Sequence, residues 1–129
     1  MSGVRVALAG LTVLCVAAVA GTASAAQSTG TFNIAGVEAL SGTQVNITGT
    51  GVCATNGFVP VKVSIRDEDT GVQTHALAGV TCESAGEHIK WLITEPLPAY
   101  RVGDLAFVQV TASGAIVDQD SGEFTIKPF

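Results

Sequence analysis

The run Val45-Asn46-Ile47-Thr48-Gly49-Thr50-Gly51-Val52-Cys53 decides the fold class. Val45, Ile47, Gly49, Gly51 and Cys53 fall on one parity, with Asn46, Thr48 and Thr50 on the other. Successive side chains of a strand point to opposite faces, so this run reads as a half-buried strand with a cysteine on its core side. Val61, Val63 and Ile65 alternate in the same way with Lys62, Ser64 and Arg66. Ile89, Trp91 and Ile93 alternate with His88, Lys90 and Thr94; Ala106, Val108 and Val110 with Phe107, Gln109 and Thr111; a last run holds Phe124 and Ile126.

Glycine-bearing turn signals separate these runs: Ser41-Gly42, Asn56-Gly57, Thr70-Gly71, Ala85-Gly86, Val102-Gly103, Ser113-Gly114 and Ser121-Gly122. After the first 25 residues no window shows a helical apolar stripe. Short strands at this spacing predict an all-β fold, an immunoglobulin-like antiparallel β-sandwich of about seven strands.

The N-terminus predicts export. Arg5 precedes an uncharged Ala/Val/Leu stretch from Val6 to Ala20, and Ala23-Ser24-Ala25 before Ala26 fits the small-residue rule for signal peptidase. A membrane anchor needs about 20 strongly apolar residues, whereas this run is shorter and rich in Ala and Gly. Residues 1–25 are therefore expected to leave as a signal peptide, with cleavage between Ala25 and Ala26. Residues 26–129 remain as a single sandwich domain, secreted or held in the cell envelope, with no stable membrane insertion.

The composition narrows the partners. The whole chain has 129 residues, 47% of them hydrophobic and 13% charged, and a formal charge of −5. Arg5 belongs to the leader, so five basic and eleven acidic residues leave the domain at −6. Nucleic-acid binding rests on clustered Lys and Arg, and this balance argues against it. Cys15 leaves with the leader, and Cys53 and Cys82 are expected to form one disulfide in an oxidising compartment. Parity places both sulfurs in the core, with Trp91 as the core aromatic beside the bridge.

The 45–53 run, with the later Val80-Thr81-Cys82, Gly86 and His88-Ile89-Lys90-Trp91, resembles a family of small exported actinobacterial domains. The segment Val102-Gly103-Asp104-Leu105-Ala106 is similar to their G-x-A strand opening. The resemblance spans roughly Val45 to Val110. It implies a single-disulfide, immunoglobulin-like sandwich of unknown function and supplies no catalytic residue.

Candidate chemistry is sparse. Asp67-Glu68-Asp69-Thr70-Gly71 and Asp118-Gln119-Asp120-Ser121-Gly122 repeat a pattern. Asp67, Asp69, Asp118 and Asp120 are weak calcium candidates, because hard cations take several carboxylate oxygens. The plainer reading is tight hairpin turns. Position twelve of an EF-hand loop would fall on Ala78 or Phe129, neither of them a glutamate. His75 and His88 lie on polar faces with no third ligand at a suitable spacing. Serines stand outside any G-x-S-x-G, and Glu83, Glu87 and Glu95 flank strands as solvated acids. Asn46-Ile47-Thr48 matches a glycosylation acceptor, with Asn46 expected to point outward.

No catalytic residue, metal or cofactor is assigned. The leading expectation is a monomeric, non-enzymatic module that binds an unidentified protein or small molecule. An alternative is a carrier of an apolar small molecule, similar in size and fold to the acidic chromophore-binding apoproteins of actinobacteria. A cleft lined by Leu105, Phe107 or Phe58 would favour it, with Tyr100 a further aromatic within reach. A second alternative is a protease inhibitor using the proline-stiffened Glu95-Pro96-Leu97-Pro98-Ala99-Tyr100 segment.

Overall fold

Seven strands account for about two thirds of residues 29–129, the part of the chain described by the computed structural model; the leader and its cleavage site lie outside these residues. The strands are β1 (Thr31–Ser41), β2 (Gln44–Val52), β3 (Gly57–Asp67), β4 (Gln73–Cys82), β5 (His88–Pro96), β6 (Leu105–Ala112) and β7 (Asp118–Lys127). Among the described residues there is no helix, hence none long and apolar enough to cross a membrane.

The strands form one continuous sheet in the order β4-β3-β6-β7-β1-β2-β5, rolled into a nearly closed, barrel-like sandwich. All neighbours are antiparallel except β1 and β7. These run parallel and pair only at Val37 with Ile126 and Glu38 with Lys127. The expected antiparallel sandwich thus contains one short parallel contact, where the two halves of the sheet join.

Alternation fills the interior. Val45 and Ile47 of β2, Val59, Val61, Val63 and Ile65 of β3, and Ala106, Val108 and Val110 of β6 are buried. Trp91 and Ile93 of β5 join them, as do Phe32 of β1 and Ile126 of β7. The Trp91 ring stacks on Phe32 with centroids 4.5 Å apart, and its Nε1 donates to the Thr50 carbonyl. Gly49 is required beneath it, since a Cβ there would stand 2.2 Å from the indole. This is why the core parity of β2 carries glycine where the other strands carry valine.

The outermost strands, β4 and β5, face each other across the remaining seam, which is tied near both ends. At one end the Cys53–Cys82 disulfide, with Cα atoms 5.9 Å apart, joins the residue following β2 to the last residue of β4. At the other, Thr74 Oγ1 donates to Glu95 Oε2 at 2.6 Å and lies 2.8 Å from the Pro96 carbonyl. Such a disulfide is consistent with an extracellular location.

Candidate functional site

The end of the sandwich opposite the disulfide collects carboxylates. Asp67 closes β3, Glu68 and Asp69 lie in the β3–β4 turn, and Asp104 immediately precedes β6. Pairing of Asp67 with Ala106 brings that turn beside the start of β6. Ligand oxygens of Asp67, Asp69 and Asp104 then lie within 4.8 Å of one another.

Each of these three carboxylates is aimed by the backbone. Asp67 Oδ1 accepts from the Asp69 and Thr70 amides at 2.8 and 3.2 Å. Asp69 Oδ2 accepts from the Leu105 amide at 3.1 Å, and Asp104 Oδ2 from the Arg101 amide at 3.0 Å. Asp67 is fully buried, yet its Oδ2 has no hydrogen-bond partner among the described residues. Burial, and then the facing Asp104 carboxyl, hold Asp67 above the ordinary carboxylate range. The Asp104 carboxyl is held low by the neighbouring Asp67 carboxyl and by the Arg101 amide.

Asp118 and Asp120 do different work. The segment expected to turn at Ser121-Gly122 is instead the first half of β7. Asp118 pairs with Ala112 and Asp67 with Ala106, at opposite ends of β6, so the two aspartate pairs stand roughly 20 Å apart. Where β1 and β7 lack main-chain pairing, Asp118 Oδ2 accepts from the Phe32 amide at 2.8 Å. Asp120 Oδ2 likewise accepts from the Ile34 amide at 2.9 Å. The two carboxylates replace missing carbonyl acceptors, so β1 is joined to β7 through side chains.

Several other expectations change. Asn46 is buried, its Oδ1 accepting from Thr94 Oγ1 at 2.7 Å, so it does not offer a solvent-facing glycosylation amide. Glu95 is also buried, not a solvated flank. Its carboxyl is raised to about 7 by burial, opposed by the Thr74 hydrogen bond. The Tyr100 hydroxyl donates to the Ser41 carbonyl and lies 3.0 Å from that of Gln44; it locks the β5–β6 loop to the β1–β2 turn. Leu97 is fully buried, with its amide bonded to the Thr43 carbonyl. The proline segment therefore turns its central side chain inward, where a protease could not reach it. His75 and His88 are exposed near opposite ends of the molecule.

A second feature lies on the outer face of β3, β4 and β6. Phe58 is 61% exposed and Leu77 82%. They line a shallow depression of about 520 Å³ together with Pro60, Lys62 and Thr111. A second depression of about 340 Å³, lined by Lys62, His75, Leu77 and Gln109, adjoins it. The Phe58 ring lies over Gly79, where a Cβ would stand 2.2 Å from it. Strand β4, Gln73-Thr74-His75-Ala76-Leu77-Ala78-Gly79-Val80-Thr81-Cys82, carries no Asp, Glu, Lys, Arg or proline along its ten residues. Edge strands are ordinarily guarded by just such residues. Leu105 and Phe107 are half-buried and do not line either depression.

No protein-family model matches the chain, and no curated protein sequence matches it. Among solved structures, 74% of this chain superposes on a glycosyl hydrolase family 2 member from Bacteroides cellulosilyticus DSM 14838, with a TM-score of 0.49 at 12% identity. The sporulation control protein Spo0M from Bacillus subtilis superposes over 76% of this chain, with a TM-score of 0.39 at 14% identity. The chain spans 15% and 48% of those two proteins. Likenesses this distant carry no chemistry to this chain.

Proposed function

We propose that this chain is an exported, non-enzymatic immunoglobulin-like module that binds a protein partner on the outer face of β3, β4 and β6. The observation that carries the reading is the pair of exposed side chains, Phe58 and Leu77, beside an apolar depression on an unguarded edge strand. An isolated exposed leucine is ordinary; a contiguous apolar patch against an open strand edge is what partner surfaces have.

The immunoglobulin-like assignment is supported by the strand order, in which β1-β2-β5 and β4-β3-β6-β7 form the two halves of the sandwich. Export is supported by the leader reading and the disulfide, and both agree with the resemblance to small exported actinobacterial domains. A non-enzymatic role is supported by the separation of Glu95 from Glu87. Glu87 immediately precedes β5 and Glu95 lies near its end, roughly 25 Å apart along the strand, beyond the reach of a glycosidase pair.

The test is native mass spectrometry of the wild-type protein and the double variant Phe58→Ser/Leu77→Glu, both recovered from the producer's medium. A protein partner retained by the wild type and lost from the variant is the expected result. Wild-type protein that is a bare monomer throughout overturns it. A retained small-molecule mass, lost on the same substitutions, would establish the carrier instead, a reading favoured by Phe58 in the depression wall.

A further inference from the structure

The acidic end contains an unbalanced arrangement that the partner-binding reading does not use. Asp67 and Asp104 are acceptor-only groups when ionised, and ligand oxygens of the two lie within 4.8 Å of each other. Carboxylates gathered this closely repel one another unless a proton or a cation stands among them. Asp69 decides between these. Its carboxylate completes a cluster within 4.8 Å, and one proton cannot serve three acceptors at once.

We propose that Asp67, Asp69 and Asp104 form a binding site for a hard divalent cation of the calcium class. In each residue one carboxylate oxygen is tied to a backbone amide, at Asp69 and Thr70, at Leu105 and at Arg101 respectively. This fixes the side chains in advance and leaves a second oxygen on each for a metal. The buried Oδ2 of Asp67, which has no hydrogen-bond partner among the described residues, points to a ligand, since a buried polar atom is normally satisfied. Oxygen-only ligands exclude the soft metals that choose thiolate or imidazole, and calcium tolerates an irregular site completed by water. Three protein ligands give a weak site, in the range of about 0.1–1 mM usual for extracellular calcium modules. The two ligand-bearing segments are the β3–β4 turn and the β5–β6 loop, so the ion would join the two loops at this end.

Thermal unfolding of the disulfide-bonded protein in EDTA and in rising CaCl2 tests the site, with calorimetric titration of the same sample. The midpoint is expected to rise by on the order of 5 °C at 10 mM calcium, with MgCl2 producing less. Asp104→Asn is expected to abolish the calcium-dependent rise, and in EDTA to melt at or above the wild-type temperature because a facing charge has gone. Glu83→Gln, which removes one charge beyond β4 at the other end, is expected to keep the full rise. A purely structural role for Asp104 would lower the midpoint in EDTA and calcium alike. No calcium heat and no midpoint shift up to 10 mM in the wild type would overturn the proposal and leave a proton shared between Asp67 and Asp104.

Discussion

Glu95 is the side chain whose burial has the most direct solution consequence. Its folded-state carboxyl titrates near 7 against 4.5 when exposed, so between these values the folded protein holds a proton that the unfolded chain has released. Stability from this group is complete below about pH 4.5, declines as pH rises, and levels off above about 7. The decline is at most about 1.4 kcal/mol per pH unit. Glu95→Gln keeps an oxygen acceptor for Thr74 and carries no charge. Melting curves at pH 5, 6, 7 and 8 are expected to fall for the wild type relative to the variant, with the two closest at pH 5. Parallel curves would show that Glu95 stays ionised in the fold. Ala99 offers a second residue-scale test. It adopts φ of 66°, in the left-handed region that penalises a Cβ. Ala99→Gly removes that penalty while loosening the unfolded chain, for an expected net gain of about 0.5 kcal/mol in urea denaturation.

Strands differ in how openly their sequences announce them. Strands β2, β3, β5 and β6 show alternation in their sequences, and their core faces are legible from Val45, Val61, Ile89 and Ala106 onward, although Asn46 of β2 is buried as well. Strand β1 is not, because its register shifts between Ile34 and Gly36 and again between Ala39 and Ser41. Phe32 and Val37 are both buried although they stand on opposite parities, as a bulge permits. Strand β7 hides its first half for another reason: Asp118, Asp120 and Gly122 look like a turn, while the two aspartates serve as acceptors for β1. Asp118→Ala leaves the Phe32 amide without its acceptor and is expected to destabilise the protein by about 1–3 kcal/mol in chemical denaturation. That loss is expected to be the same in EDTA and in calcium. The acidic site was half legible. Asp67 and Asp69 stand out by their spacing, but Asp104 lies 35 residues further on, and only pairing of β3 with β6 brings it beside them. Phe58 stands out as an aromatic near a turn, but its grouping with Leu77 does not, since the two come to line one depression only through the register of β3 with β4.

At the scale of the whole molecule, the open seam between β4 and β5 is where the closed shape is most exposed to loss. Every other neighbouring pair in the sheet is held by a main-chain ladder or, for β1 and β7, by aspartate side chains and a short parallel contact. Strands β4 and β5 share no ladder; the disulfide and the Thr74 hydrogen bonds close their two ends. Reduction therefore removes more than a constraint on the unfolded chain. The chain-entropy model gives about 3.5 kcal/mol for a loop of this length, equivalent to roughly 15 °C or more in a domain of this size. Calorimetry with and without a reductant tests that magnitude. Hydrogen exchange tests the place. In the reduced protein, amides of Gly79–Cys82 are expected to lose protection first, while those near Thr74 hold until global unfolding. Uniform loss along β4 would mean that the strand is retained by its ladder with β3 alone, and that the seam contributes little at either end.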